Sequence, residues 1–239
     1  MLESNGIPVL AIIIETAVAL GMGFLTVMGF VKFSERRRKP TLYLSFSFLF
    51  MTLAVTSSAI GKWTHFFVTA PVLSFDDGFI IIAYQMVAIA NVFIMVFIDE
   101  VFLNWGSLLT SISGILNGIT VGTLIIMNNF GEDLYSDALP IVIYNAVISL
   151  ITFGLLAGLA FRESRRSEQQ MPKVGFVLIG MYGVFVALVF VLFALDLAML
   201  EGYTPFYYSA WISAGVGVLC GYLGYIFPNW LRKFLKLEG

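Results

Sequence analysis

Seven uninterrupted apolar stretches divide the sequence, each of roughly the 20 residues a helix needs to cross about 30 Å of hydrocarbon. They run from Ile7 to Val31, Thr41 to Ile60, Phe79 to Leu103, Leu108 to Met127, Ile141 to Phe161, Val174 to Leu200 and Tyr207 to Phe227. Between them lie short gaps with turn and breaker residues: Ser34 to Pro40, the stretch around Pro71 and Asp76-Asp77-Gly78, Asn104 to Ser107, Asn128 to Pro140, Glu163 to Pro172 and Glu201 to Phe206. None is long enough for a second domain. A transmembrane β-barrel would show stretches of about ten residues with alternating polarity, whereas these are continuous runs of twice that length. Composition agrees: 59% of residues are hydrophobic and 12% charged, too few ionisable side chains to clothe a water-exposed globule. The expected fold is an all-α integral membrane bundle of seven transmembrane helices, with residues 1–227 forming one domain.

Lysines and arginines set the expected orientation, because they favour the cytoplasmic side of a membrane. Alternating the loops places Lys32, Arg36, Arg37, Arg38, Lys39, Arg162, Arg165, Arg166, Lys173, Arg232, Lys233 and Lys236 on one side. Lys62 is the single basic residue on the other, beside Glu3, Asp76, Asp77, Glu132, Asp133, Asp137 and Glu201. An N-terminus outside, a C-terminus in the cytoplasm and a multi-pass place in the cell membrane follow. The first span does not read as a cleaved signal peptide, since Met1 to Gly6 carries Glu3 and no basic residue. Residues 228–239 read as an amphipathic interfacial tail, with Trp230, Leu231, Phe234 and Leu237 on one face and Arg232, Lys233 and Lys236 towards headgroups. No kinase, cyclase or nucleotide-binding domain follows, so any output is expected to pass through a separate partner.

Several chemistries lack their residues. Cys220 is the one cysteine and His65 the one histidine, which leaves no disulfide framework, no cysteine zinc site and no paired-His metal or haem site. The net charge of −2 gives no field for nucleic acid. Asp99 and Asp196 fall near opposite faces of the membrane, so no paired-aspartate dyad forms. No lysine lies within the body of span seven, which excludes a retinal Schiff base there, and no Walker-type phosphate loop is present. Neither an enzyme nor a cofactor is expected.

Basic turns close both span one (Phe30 to Pro40) and span five (Ala160 to Pro172), hinting at parallel triplets, spans one to three and five to seven, around a fourth helix. Any two positive-inside loops would look alike, so the hint is weak. Small residues permit close helix approach in lipid. Gly114, Gly118 and Gly122, Gly154 and Gly158, and Gly217 and Gly221 are therefore expected to pack within the bundle, ahead of serving a dimer interface.

Charged residues inside spans are costly and become functional candidates. Glu15 lies roughly 12 Å inside the outer end of span one, among Ala11, Ala19 and Met22, and Asp196 roughly 6 Å inside span six. Asp196 shares a stripe with Phe193, Val189, Phe185 and Tyr182. If both acids face inward they could pair, and Lys62 could neutralise either. Span three carries Tyr84, Ala88, Asn91, Met95 and Asp99 on one face with Gln85 adjacent, and Asn145, Ser149, Thr152, Thr52, Thr56 and Asn117 are candidate partners. Trp63, His65, Phe66, Phe67, Tyr144, Tyr207, Tyr208 and Trp211 gather at the outer mouth, as aromatic belts do. The expected ligand-binding or coupling set is Glu15, Asp196, Lys62, Gln85, Asn91, Asn145, Tyr182, Tyr208 and Trp211. Arg36, Arg37, Arg38, Asp99 and Glu100 are candidates for contact with lipid or a cytoplasmic partner.

Seven helices, an outside N-terminus and a terminal interfacial helix are shared with seven-helix receptors, as an analogy of topology alone. The first expectation is a receptor-like or sensory protein that binds a small molecule in its outer half and signals to a cytoplasmic partner. The alternatives are a small-solute or proton-coupled transporter built as a 3+1+3 helix repeat, and a non-catalytic subunit of a larger membrane complex. The bilayer is the expected partner in every case.

Overall fold

The computed structural model describes residues 3–4, 7–67, 73–130, 134–199 and 203–235. Of the residues named above, Met1, Gly6, Pro71, Glu132, Asp133, Leu200, Glu201, Lys236 and Leu237 lie outside the described residues, as do the side chains of Glu3, Ile7, Asp76, Asp77, Asn128 and Asp137. A two-residue antiparallel pairing of Glu3–Ser4 with Ile7–Pro8 precedes the helices. These are α1 (Val9–Arg36), α2 (Lys39–Phe67), α3 (Leu73–Ile98), α4 (Ser107–Phe130), α5 (Leu134–Arg166), α6 (Gln170–Ala198), α7 (Pro205–Gly221) and a short α8 (Asn229–Phe234). The first seven are long and apolar enough to cross a membrane.

Most helices outrun the apolar stretches that mark them. α1 continues through its basic end to Arg36, and α2 begins at Lys39, leaving a two-residue link. The turn is made by Arg37, whose left-handed backbone (φ 48°) lets its N–H reach the Phe33 carbonyl at 2.7 Å, the usual way a helix satisfies its last carbonyls. α5 likewise begins at Leu134 and runs through Pro140. Polar ends are helical here because hydrogen bonding, not hydropathy, decides where a helix stops.

Large apolar residues cover the exterior as well as filling the core. Leu20 is 72% exposed and Glu15 0%, as expected where hydrocarbon solvates the exterior. The helices form a ring. α1, α2 and α3 pack in sequence, as do α5, α6 and α7; α7 returns to α1 and α3 meets α5, while α4 sits outside against α3 and α5. Edge-on aromatic contacts hold the centre, with Phe48 against Tyr182 and Tyr225 and Phe153 against Tyr182, at centroid separations of 5.8, 6.0 and 6.0 Å.

The two triplets resemble each other at the end carrying the basic residues, here called the basic end. α3 and α7 each pass into a five-residue π-helical segment, Asp99–Leu103 and Tyr222–Ile226, closed by a left-handed residue, Asn104 (φ 52°) and Phe227 (φ 50°). A short sequence likeness lies close by, Phe102-Leu103-Asn104-Trp105 and Phe227-Pro228-Asn229-Trp230, two residues out of step with the left-handed turns, since Asn104 matches Asn229 in sequence and Phe227 in structure. π-segments are rare and concentrate at functional sites.

The glycine expectation divides. Gly217 and Gly221 do pack, against Phe185, Val186 and Tyr182. Gly114, Gly118, Gly122, Gly154 and Gly158 do not: a Cβ added at any of them meets nothing within 4 Å. Helical spacing fixes which glycines share a face but not which way that face turns. The tight approaches are elsewhere. A Cβ on Gly183 would lie 2.8 Å from the Phe153 carbonyl oxygen, and one on Gly224 would lie 2.8 Å from Leu178 Cβ and 3.0 Å from Ile179 N. In α8, Leu231 is buried while Trp230 and Phe234 stay exposed, so the single apolar face expected of the tail splits between bundle and surroundings.

Candidate functional site

The first group lies near the end of the bundle opposite the basic residues, the far end. Glu15 stands six residues into α1, roughly 9 Å along its axis. Lys62, five residues before the end of α2, places Nζ 2.5 Å from Glu15 Oε2. The Tyr207 hydroxyl of α7 donates to the same oxygen at 3.0 Å. Lys62 Nζ also donates to Ser58 Oγ at 3.3 Å and sits 5.4 Å from the Tyr207 ring centroid. One carboxylate thus joins three helices. Glu15 Oε1 has no hydrogen-bond partner. The neighbouring Trp63 indole donates to Thr16 Oγ1 at 3.0 Å, a second tie between α1 and α2.

Asp196 acts one step away. Its Oδ1 accepts from Thr204 N at 2.9 Å and from Thr204 Oγ1 at 2.6 Å. Thr204 is the N-cap of α7, accepting from Phe206 N, with Pro205 in the first turn, a favoured way to start a helix. Three residues later comes Tyr207. Asp196 therefore fixes the start of the helix that presents Tyr207 to Glu15, and no contact between the two acids is present. Tyr208 and Trp211 pack beside Tyr207, with Tyr208 5.6 Å from its ring and Trp211 edge-on to Phe193 at 5.5 Å. Tyr182 lies apart from this group, in the aromatic centre against Phe48 and Phe153. Gln85 is half-buried on α3.

A second group occupies the middle of α3, α4 and α5. Asn91 and Asn117 each stand halfway along their spans. Asn91 Nδ2 donates to Ser149 Oγ at 2.8 Å and to Asn117 Oδ1 at 3.2 Å, and Asn117 Nδ2 donates to the Ser113 carbonyl at 2.9 Å. Asn145, one turn from Ser149, and Thr120, one turn from Asn117, are both fully buried. Neither amide atom of Asn145 has a partner, nor does Thr120 Oγ1 or Asn91 Oδ1.

At the basic end, Arg36, Arg37, Arg38 and Glu100 are exposed, and a surface recess of about 350 Å³ is lined by Arg36 and Arg38. Asp99 Oδ1 accepts from Trp105 N at 2.9 Å, closing the turn after α3. The Tyr225 hydroxyl donates to the Thr41 carbonyl at 3.1 Å and ties the π-segment of α7 to the start of α2. Among the described residues no group of His, Cys, Asp or Glu could hold a metal ion.

The structure thus joins Glu15 to Lys62 and Asn91 to Ser149. It adds two residues to the expected binding set: Tyr207, expected among the outer-mouth aromatics and here the tyrosine on the carboxylate, and Thr204, its positioner, which sequence reasoning did not name. The Thr204-Pro205 pair was a readable helix start; the sequence placed Tyr207 and Glu15 at the same mouth, but nothing in it singled out the hydrogen bond between residues 192 positions apart. No protein-family model matches this chain, and neither a curated protein nor a solved structure similar to it was found.

Proposed function

We propose that this chain is a receptor-like or sensory protein of the cell membrane, with its N-terminus outside and its C-terminus in the cytoplasm. A small ligand in the outer half shifts the bundle, and a cytoplasmic partner reads the basic end. One observation carries this reading: a fully buried carboxylate holds α1, α2 and α7 together through one oxygen and leaves the other open to a donor. Intramembrane charges concentrate where function resides. A ligand bearing an amine or a similar donor would compete with Lys62 and Tyr207 for Glu15. Its differential affinity for the released state is what would shift the equilibrium. α7 then leads from Tyr207 to the π-segment and the Arg232–Lys233 surface.

The test is native mass spectrometry of gently solubilised protein, together with spin-label distances between Arg38 and Lys233 at the basic end. Glu15→Gln is expected to release any retained small molecule and to alter the distance distribution. Unchanged retention and unchanged distances would overturn the reading.

A carrier with a 3+1+3 repeat is the second reading, favoured by the matched π-segments of α3 and α7 and by the two triplets of the ring. There, Glu15→Gln would abolish uptake into liposomes with the fold intact. Loss of ligand binding with no flux in wild type or variant supports reception.

A further inference from the structure

We infer that the middle of the α3–α4–α5 contact is a binding site for hydroxyl groups, occupied by ordered water or by a small neutral polyol that replaces it. The argument rests on which groups lack partners. Asn145 is 0% exposed, and both its amide nitrogen and its amide oxygen are unpartnered. Asn91 Oδ1 and Thr120 Oγ1 are unpartnered too, on the two helices packed against α5. Asn91 is held to α5 through Ser149, one turn along from Asn145. Thr120 lies one turn along α4 from Asn117, which Asn91 also contacts. Asn145 and Thr120 therefore lie one turn towards the far end from the Asn91–Asn117–Ser149 hydrogen bonds, the level at which Asn91 itself stands. Ala88, fully buried, is the α3 residue at the level of Asn145 and Thr120 and adds little bulk.

An amide sealed in hydrocarbon with all its hydrogen bonds unmade is expensive, and buried polar groups in proteins normally have partners. What fits here must both donate and accept, since Asn145 offers an NH2 and an oxygen together. A bare cation would satisfy the oxygens and oppose the NH2. An anion would do the reverse. Among the described residues no acidic or basic side chain forms a hydrogen bond with these groups, so a neutral guest needs no counter-charge. A hydroxyl group, donor and acceptor in one, answers both needs. Ile81 and Leu124, with Tyr84, Met127 and Ile141 packed on them, close the site towards the far end. The site shares no residue with the Glu15 group, so it stands or falls apart from the function proposed above.

The experiment is water-edited solid-state NMR of the full chain in lipid bilayers, with the asparagine side-chain amides labelled with nitrogen-15. Rapid polarisation transfer from water to Asn145 and Asn91, lost in Asn145→Leu, is expected. Added glycerol distinguishes the sources. Slower water transfer together with a Tm raised in wild type but not in Asn145→Leu identifies a polyol site, and an unchanged pattern identifies water as the occupant. A Tm about 2–4 °C lower in Asn145→Leu, the shift that the loss of roughly one hydrogen bond gives in a chain of this size, agrees with either source. No water transfer in wild type and no response to glycerol overturns the inference, as does an Asn145→Leu protein more stable than wild type, the outcome expected of a dry site.

Discussion

The two buried polar groups solve the same problem in opposite ways. In the Glu15 group the side chains carry charge, and a cation and a phenol gather on one oxygen within 3.0 Å. In the Asn91 group they are neutral, and several of their atoms go unanswered. A carboxylate in hydrocarbon cannot wait for a partner, because the cost of an isolated charge exceeds what the fold has to spare. A neutral amide costs much less, so a fold can keep one open for a guest. Charge drew a cation and a phenol onto one oxygen of Glu15 and left the other without a partner, whereas neutrality left a whole amide, that of Asn145, unmet.

The sharpest way to break this contrast is to strand the charge. Lys62→Met is expected to destabilise the folded chain by about 3–5 kcal/mol, because it leaves Glu15 buried without its cation. The double variant Glu15→Gln with Lys62→Met should regain most of the loss, and denaturant unfolding in mild detergent measures both. If the single and double variants are equally unstable, the pair carries no special burden. Tyr207→Phe comes next, at about 1.5–3 kcal/mol, since it removes a hydrogen bond to a charged acceptor and leaves the ring in place; thermal unfolding reads it directly. Ser149→Ala tests the neutral group and should cost only about 0.6 kcal/mol, the average of interhelical hydrogen bonds in membranes. A loss as large as that of Tyr207→Phe would erase the distinction between the two groups.

Glycines extend the comparison to packing. Gly183→Ala drives a methyl against the Phe153 carbonyl and the Ala157 nitrogen, backbone atoms of α5 that cannot move aside. A loss of about 1–3 kcal/mol is expected, from the cost of overpacking. Gly118→Ala, which meets nothing within 4 Å, should change stability by less than about 0.5 kcal/mol. Equal effects from the two substitutions would mean that α4 and α6 are packed alike.

How much of this could be read beforehand depends on how far apart the interacting residues stand. The seven spans were legible because hydropathy is local and lipid leaves few ways to cross it. Their ends were legible only to within several residues, since Lys39 and Arg36 are helical by hydrogen bonding and polar by hydropathy. Glu15 stood out because an acid in an apolar run has few innocent explanations. Lys62 could be named as a neutraliser for either acid, but its choice of Glu15 over Asp196 depended on where α6 ends and α7 begins. The outward turn of Gly114, Gly118 and Gly122 had no signature at all, because inward and outward stripes share one spacing.

Sequence by itself determined the number of helices long and apolar enough to cross a membrane and the few charged or polar positions within them worth attention, because each follows from the chemistry of contiguous residues. Only the tertiary structure decided which of those positions meet. It brought Tyr207 across 192 residues to Glu15, turned Asp196 to the start of α7, and left Asn145 sealed without a partner. The physical reason is that a helix fixes the faces of its own residues, whereas the rotation of that helix against its neighbours is set by packing between residues far apart in the chain.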